Sequence, residues 1–480
     1  MDKLKTSTKI LYGIAGIGDS ALYNFMGTFA LFFLTTVAGV DPAVGGTIVA
    51  LGSICETIAG AVIGYVSDNT ATKYGKRKPF LLAAAFPLII ITCLFFANFN
   101  MGMTVKILYY GAMMVIFWTF FSVFFVPYLA WGAELTQDYN ERTVLRGYVY
   151  FFNMAGVTIG MILPNLIVDW LGSQGFSLGA SWQITAVFCG VCAGASIFIA
   201  AVGIKDQFER NYQTAGKEAA HKARTSMKSL VRAFKDMLGS YWEIMKSKTV
   251  LCILGASVFY LIAYAIFSAD RMYFLTYNMK FSPGQITAVL AFLTFSPLVF
   301  LPLIIKLSNR WDKRSLFLYG MSISTVMMLL YGVMGIHSMA GIFLYSFLYS
   351  IGNICYWQLI PSMIYDVSEV DELIYNKKRT GLVISLQSLS ESLANAVGVQ
   401  LLGIMLSAAG FDGEVGVQAD TALLCTHLSF TVLPAVFMGI SILMIVKYPV
   451  TRAVYDQVLA ALKAREAGED VDMEAFERLR

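Results

Sequence analysis

The sequence predicts an all-α membrane protein with twelve transmembrane helices arranged as two six-helix halves. Of its 480 residues, 57% are hydrophobic and only 14% are charged, whereas soluble domains usually carry about 25% charged residues. Apolar runs of about 20 residues, each long enough to cross a bilayer as a helix, recur along the whole chain. In addition, one polar segment occurs twice, about half a chain apart, which indicates two related halves.

The apolar runs are separated by short polar turns. Spans are predicted at 11–38, 43–66, 80–98, 105–131, 144–170, 182–204, 249–278, 284–307, 315–335, 338–364, 380–409 and 423–447. We therefore expect residues 1–204 to form one six-helix bundle and residues 249–447 the other. Between them, 205–248 is expected to be a cytoplasmic loop whose amphipathic helix lies on the membrane or packs as a linker. Residues 448–480 are expected to form a cytoplasmic tail.

The Lys and Arg residues between the spans are concentrated in the even-numbered turns. They are Lys73, Lys76, Arg77 and Lys78 after span two, Arg142 after span four, Lys306, Arg310, Lys313 and Arg314 after span eight, and Lys377, Lys378 and Arg379 after span ten. The odd-numbered turns contain little beyond Lys106 and Lys280. Because loops rich in Lys and Arg stay in the cytoplasm, we expect both termini to be cytoplasmic. The predicted location is the cytoplasmic (inner) cell membrane.

The repeated segment joins spans four and five and, in looser form, spans ten and eleven. Its first copy, from Val126 to Thr143, reads VPYLAWGAELTQDYNERT, and its second, from Ile360 to Thr380, reads IPSMIYDVSEVDELIYNKKRT. Each copy places a proline in an apolar run, continues through acidic residues and ends on Arg-Thr before a new apolar run. Two related halves of this kind are typical of secondary transporters.

The charged residues at these span ends are candidates for a cytoplasmic gate. They are Asp68, Arg77, Glu134, Asp138, Arg142, Asp366, Lys378 and Arg379. Opposite charges there could hold the two halves together while the carrier faces outward and separate when it faces inward. Each exposed ion pair contributes only about 0–1 kcal/mol, which suits a gate that must open. The alternative is that these charges only orient the chain during membrane insertion.

Several motifs are similar to those of known transporters. The loop GYVSDNTATKYGKRKPF, from Gly64 to Phe80, resembles the signature loop of the major facilitator superfamily. The first copy of the repeat resembles the glycoside-pentoside-hexuronide:cation symporters, the melibiose permease-like family. YGIAGIGDS in span one and LQSLSESLANAVG in span eleven support the same resemblance. It implies the major facilitator fold and cation-coupled symport of a sugar, glycoside or hexuronide by alternating access.

Glu56 in span two is the leading candidate for cation coupling. Placing an ionisable side chain at the centre of the membrane costs about 2.5–3.5 kcal/mol on insertion scales, so such a residue is expected to have a function. Gly52, Gly60 and Gly64 share its helix face and would let another helix approach. The resemblance assigns Glu56 and Ser122 to a cation site, but Gly60 stands where the family has a second carboxylate. Because a hard cation needs several oxygen ligands, this favours H+ over Na+, with Na+ near Glu56 or a purely structural glutamate as alternatives.

The predicted substrate site draws on spans one, four, five, seven, ten and eleven. Gln387, Glu391 and Asn395 recur every fourth residue, so they form a polar stripe that must face water or a ligand rather than lipid. The other candidates are Asp19, Tyr23, Tyr128, Asn153, Arg271, Trp357 and Gln358. Asp19 is also a candidate for cation coupling. The aromatic residues could instead serve in ordinary helix packing.

Two apolar residues limit how polar the substrate can be. Phe125 and Val149 stand where the family has a sugar-binding carboxylate and an arginine, which favours an aglycone-bearing glycoside and leaves a lipid or lysolipid carrier as the alternative. Arg271 could bind the carboxylate of a glucuronide, pair with Asp270, or extend to the outer membrane face.

The sequence predicts no enzyme. It contains no nucleophile paired with a base, no metal cluster and no nucleotide-binding loop. Apart from the coupling ion, H+ or Na+, no cofactor and no metal is expected. The expected partners are a small-molecule substrate and membrane lipid, with no nucleic acid, and the protein is expected to act as a monomer.

Overall fold

A computed structural model describes most of the chain. The described residues are 4–204, 239, 241–466, 473, 476 and 479, apart from 69, 71, 73, 136–138, 309, 377, 378 and 414. The helix predicted between 205 and 248 therefore lies outside them for most of its length. The first part of the chain forms α1 Thr6–Thr36, α2 Pro42–Asp68, α3 Lys78–Phe95, α4 Met103–Leu135, α5 Tyr139–Val157, the π-helix π1 Thr158–Ile162, α6 Leu163–Ser173 and α7 Leu178–Gly203. The second part forms α8 Lys248–Tyr273, the π-helix π2 Phe274–Asn278, α9 Pro283–Ser308, α10 Lys313–Met334, α11 Met339–Tyr375, α12 Thr380–Ala408, α13 Asp420–Phe430, α14 Val432–Val446 and α15 Arg452–Glu466.

The hydrophobic runs form the spans that the sequence predicts. In the described part of the chain, 12 helical segments are long and apolar enough to cross a membrane. Three of them combine shorter elements, namely α5 with π1 and α6, α8 with π2, and α13 with α14. The predicted fold class and the twelve spans are thus confirmed.

Local chemistry determines where several spans begin and end. The Ser177 hydroxyl accepts a hydrogen bond from the backbone N–H of Ala180 at the start of α7, and Ser338 accepts one from Gly341 at the start of α11. Such caps satisfy amide groups that have no partner within the helix. At the end of α10, Gly335 has a φ of +77°, a conformation that glycine adopts without steric cost.

The chain divides into two compact units. Unit 1 comprises residues 1–225, 275–290 and 399–423, and unit 2 comprises 226–274, 291–398 and 424–480. Unit 1 thus contains α1 to α7 together with π2 after Phe274, the N-terminal part of α9, the C-terminal part of α12 and the first residues of α13. The units differ in this way from the predicted halves, because two outlying pieces of the second half of the sequence group with the first.

Helix α1 is central to unit 1 and packs against α5 and α7. Gly156 and Gly160 allow the close approach of α1 to the segment from α5 to π1, because a Cβ atom at either would collide with the backbone of Ile17 or Ala21. In unit 2, α8 packs against α11 and α14, and α10 packs against the same two helices. The tail helix α15 packs on α11.

Candidate functional site

Two tyrosines fix α1 against α4 in unit 1. The rings of Tyr12 and Tyr128 stack with centroids 4.6 Å apart. The Tyr12 hydroxyl donates to the carbonyl oxygen of Tyr128 at 3.0 Å, and the Tyr128 hydroxyl donates to that of Tyr12 at 3.2 Å. Both side chains are buried. Tyr128, a predicted substrate residue, therefore donates its hydroxyl hydrogen to the backbone. Only its hydroxyl oxygen and its ring remain to contact a ligand.

An arginine that the sequence analysis missed, the exposed Arg146, lies within electrostatic range of Asp19. Its carboxylate interacts electrostatically with Arg146 of α5, and Arg146 also acts on Tyr12 and Tyr128. The resemblance placed the family's arginine at Val149. Arg146 precedes that position by one helical turn, so helical spacing of three residues could have indicated it. Unit 1 therefore retains an acidic and a basic side chain together, although the aligned position is apolar.

Asn153 and Tyr23 lie near the same face of α1. The side-chain oxygen of Asn153 is buried, has no hydrogen-bond partner among the described residues, and lies against Gly16. Tyr23 is 49% exposed, and its ring contacts Trp118 and Phe121 with centroids 5.8 and 6.2 Å away. The structure thus adds an aromatic surface on α4 that the sequence analysis had not identified.

Glu56 and Ser122, the two residues of the predicted cation site, lie on adjacent helices, and the site stays a prediction. Glu56 is half-buried, and the Ser122 hydroxyl lies 3.1 Å from the backbone carbonyl oxygen of Glu56 and 2.9 Å from that of Trp118. The glycine strip faces α4, since a Cβ at Gly52 would collide with Trp118. Ser122 thus directs its hydrogen to the backbone. Among the residues that the structure describes, no group of three His, Cys, Asp or Glu side chains could hold a metal ion.

Unit 2 contains a cavity of about 200 Å³ between α11 and α12. Three predicted substrate residues, Trp357, Gln387 and Glu391, line it together with Tyr356. Trp357 is 43% exposed, which leaves its indole ring accessible to a ligand. The Gln387 amide donates to the Ser257 hydroxyl at 2.6 Å, and its buried oxygen has no partner among the described residues.

Two other predicted residues do not line this cavity. Gln358 is exposed, and Asn395 is half-buried one helical turn beyond Glu391. Adjacent positions on a helix point about 100° apart, which separates Gln358 from Trp357. The cavity is instead supported by Tyr260, whose ring stacks on Tyr356 with centroids 3.9 Å apart.

Arg271 and Asp270 have different neighbours. The Arg271 side chain is buried in the vicinity of Tyr264 and Tyr349. Its burial is inconsistent with extension to the membrane face. The Asp270 carboxyl instead faces Ser429, so the structure does not contain the Asp270–Arg271 pair that the sequence left open.

In unit 1, Arg77 binds two other predicted gate residues, Asp68 and Glu134. Arg77, 5% exposed, donates from Nη2 to Asp68 at 2.6 Å and from Nε and Nη2 to the same oxygen of Glu134 at 3.0 and 2.6 Å. Its Nη1 also donates to the Ser67 hydroxyl at 2.7 Å. This network ties the ends of α2 and α4 to the start of α3.

The predicted gate residues of unit 2 also pair within that unit. Asp366 binds Lys313 at 2.7 Å, and Arg379 binds Asp371 at 2.8 Å and Glu243 at 3.2 Å. Asp138, Lys378 and the side chain of Arg142 lie outside the described residues. Since these ion pairs join helices of a single unit, the latch between the two halves stays a prediction.

The family is established by sequence comparison. Residues 11–452 match the family described as MFS/sugar transport protein. The chain belongs to that family. It is therefore a membrane transporter of the major facilitator superfamily and not an enzyme, and the resemblance noted from the loop motifs is confirmed.

Several proteins of known sequence are similar to this member of the sugar transport family over nearly the whole chain. An uncharacterized symporter, sll1374 of Synechocystis sp., is 24% identical over 97% of this chain and 98% of the relative. The isoprimeverose transporter of Lactiplantibacillus pentosus is 23% identical over 97% of this chain and 92% of its own. A glucuronide carrier protein homolog of Escherichia coli is 22% identical over 97% of both chains.

Solved structures confirm the fold. A D-xylose-proton symporter covers 90% of this chain and 96% of its own, with a TM-score of 0.58 at 14% identity. A structure from the proton-dependent oligopeptide transporters covers 95% of this chain and 100% of its own, with a TM-score of 0.67 at 15% identity. At these identities the similarity concerns the fold alone.

Proposed function

We propose that this protein is a proton-coupled symporter that carries a glycoside or a related sugar solute by alternating access. The observation that carries the proposal is the cavity of unit 2, where the accessible indole of Trp357 lies beside the amide of Gln387 and the carboxylate of Glu391. One face of a sugar ring is apolar and its rim carries hydroxyl groups. An aromatic face next to hydrogen-bond acceptors matches that chemistry.

Unit 1 would supply the charged part of substrate recognition. Asp19 and Arg146 can together accept and donate hydrogen bonds to a hydroxylated or anionic solute. The names of the relatives, which include an isoprimeverose transporter and a glucuronide carrier homolog, support this substrate class. They do not favour the lipid carrier that the sequence had left as an alternative.

A proton is favoured as the coupling ion because of what surrounds Glu56. Gly60 provides no second carboxylate one turn away, and the Ser122 hydroxyl directs its hydrogen to the backbone. A sodium site needs several oxygen ligands in a fixed arrangement. A single half-buried carboxylate can take up and release a proton without such an arrangement.

The proposed location is the cytoplasmic (inner) cell membrane, with both termini in the cytoplasm and the transporter acting as a monomer. The concentration of Lys and Arg in the even-numbered turns supports this orientation. In this orientation, the Arg77 network and the Lys313–Asp366 pair would lie on the cytoplasmic side.

Transport by purified protein in proteoliposomes tests the proposal. A panel of radiolabelled glycosides, hexuronides and lysolipids is offered under an inside-alkaline pH gradient, an inward sodium gradient, or neither. We expect a glycoside or hexuronide to accumulate only under the pH gradient and a protonophore to abolish accumulation. Sodium-driven accumulation would contradict proton coupling, and lysolipid transfer without sugar uptake would contradict the substrate class.

A further inference from the structure

A second acidic side chain, Asp270 of α8, is buried deep in unit 2. It is 0% exposed, and neither of its carboxyl oxygens has a hydrogen-bond partner among the described residues. A buried ionised carboxylate is strongly unfavourable unless it is paired or hydrogen-bonded. The site therefore favours a neutral carboxyl group.

The hydroxyl groups that face Asp270 have already donated their hydrogens. The Ser429 hydroxyl donates to the carbonyl oxygen of Cys425 at 2.8 Å, and the Tyr345 hydroxyl donates to that of Phe430 at 2.7 Å. A hydroxyl has a single hydrogen to donate. Both hydroxyl oxygens keep lone pairs that can accept a hydrogen bond from a protonated carboxyl group.

No basic group near Asp270 offsets its charge in the described part of unit 2. The titratable groups within electrostatic range of Asp270 on the surrounding helices are Tyr345 of α11 and Cys425 of α13. The sequence of α14 contains no titratable residue. Arg271, the next residue along, makes no hydrogen bond to either carboxyl oxygen of Asp270.

The helix that carries Asp270 changes its geometry one turn further on. The π-helix π2 begins at Phe274, and the division between the two units falls between residues 274 and 275. Single-turn π-helices inside α-helices are frequent at functional sites. Such a segment lets the end of α8 rearrange without unfolding, which would admit water to the carboxyl.

We propose that Asp270 is a second proton-binding site of the transporter, separate from Glu56. It is protonated in the state seen here, and it releases its proton to water when the carboxyl becomes hydrated in another state of the cycle. This inference rests on the proposed proton-coupled function. Its consequence is that each turnover moves one proton more than Glu56 alone would carry.

The accumulation ratio measures this second proton. For one proton per substrate, a gradient of about one pH unit supports about tenfold accumulation, and for two protons about a hundredfold. We expect Asp270→Asn to lower the ratio by about tenfold per pH unit while the variant still exchanges substrate in counterflow. The matched control, Asp169→Asn at an exposed position of α6, should keep the wild-type ratio. An unchanged ratio in Asp270→Asn would overturn the proposal.

An infrared measurement tests Asp270 without any transport. The difference spectrum between wild type and Asp270→Asn should contain the carbonyl band of a protonated carboxyl, shifted in D2O, and Asp270→Glu should restore it at a changed frequency. If only carboxylate bands differ, Asp270 is ionised and the inference fails even if the pH gradient drives transport. If the protonated band is present while sodium drives transport, the proposed function fails and Asp270 still binds a proton.

Discussion

The two units carry different chemistry in their candidate sites. Unit 1 combines Asp19 with Arg146 and places Glu56 on a neighbouring helix. Unit 2 lines its cavity with the rings of Tyr356 and Trp357 and with side chains of α12. Under the proposed function, unit 1 offers charged groups for a coupling ion or a polar solute, and unit 2 offers an aromatic surface for a sugar ring.

The two units also differ in the ion pairs at the ends of their helices, next to the predicted cytoplasmic loops. In both units a basic residue at the start of the third helix binds an acidic residue near the end of the fourth, Arg77 with Glu134 and Lys313 with Asp366. In unit 1 a guanidinium makes bonds to three side chains. In unit 2 an ammonium group makes one ion pair, and the ring of Tyr455, from the tail helix α15, lies 5.7 Å from it. The acidic residue of the repeated segment is thus bound by a guanidinium in unit 1 and by an ammonium group in unit 2.

The largest effect is expected at Glu56. Glu56→Gln should remove the coupling proton that it carries, so gradient-driven accumulation should fall by about tenfold or more per pH unit. Exchange of bound substrate should persist, because counterflow needs no net proton movement. Parallel measurements of accumulation and counterflow in the same proteoliposomes check this. Wild-type accumulation in Glu56→Gln would remove Glu56 from the coupling role and with it the assignment of coupling to unit 1.

The next largest effect is expected at Arg146. Arg146→Ala removes the guanidinium beside Asp19, and the loss of a charge-assisted hydrogen bond costs about 1.5–3 kcal/mol, or about tenfold to a hundredfold in substrate affinity. The loss of affinity is measured by equilibrium binding of the transported glycoside. Val149→Ala, one turn away on the same helix, is the matched control and should have little effect. Equal losses in the two variants would indicate that α5 packing, rather than charge, was disturbed.

A smaller loss is expected at Trp357. Trp357→Ala removes a ring available for stacking, which is worth about 0.5–1.5 kcal/mol beyond the area it buries. The affinity for glycosides should fall by a few-fold to about tenfold, and Trp357→Phe should recover part of it. Gln358→Ala, at the exposed neighbouring position, should bind as wild type does. If Gln358→Ala weakens binding more than Trp357→Ala, the substrate does not occupy the cavity between α11 and α12.

At the loop ends we expect effects on stability rather than on substrate affinity, with unit 1 more sensitive than unit 2. Arg77→Ala leaves several partners without a donor and should lower stability by about 1–3 kcal/mol, whereas Lys313→Ala breaks one partly exposed pair worth about 0–1 kcal/mol. Thermal unfolding in detergent measures both. Arg77→Lys should be intermediate, because an ammonium group cannot reproduce the fork of a guanidinium. A larger loss in Lys313→Ala would reverse the comparison.

Much of this architecture could be predicted from the sequence, because hydropathy and helical periodicity act locally. The twelve spans follow from apolar length, and the close approach of another helix to α2 follows from the strip of Gly52, Gly60 and Gly64. What the sequence could not provide were pairings that depend on tertiary packing. Lys313 is 53 positions away from its partner Asp366, and nothing in the local pattern joins them.

The candidate site shows the same limit. Aligning single positions with a family located Val149 but overlooked Arg146, because a helix can supply the same side chain from the adjacent turn. Periodicity predicted that Gln387 and Glu391 share a face, and both line the cavity. It could not show that Asp270 and Arg271 have different neighbours, since this depends on which helices pack around α8.

Movement of protons with the solute is the most direct test of the central claim. Proteoliposomes that enclose a pH-sensitive dye in sodium-free buffer are given an inward glycoside gradient and no other driving force. Proton-coupled symport predicts acidification of the interior upon glycoside addition, less acidification per glycoside in Glu56→Gln, and no acidification with a solute that is not transported. Glycoside entry without acidification, or entry that requires sodium and carries it inward, would contradict the account.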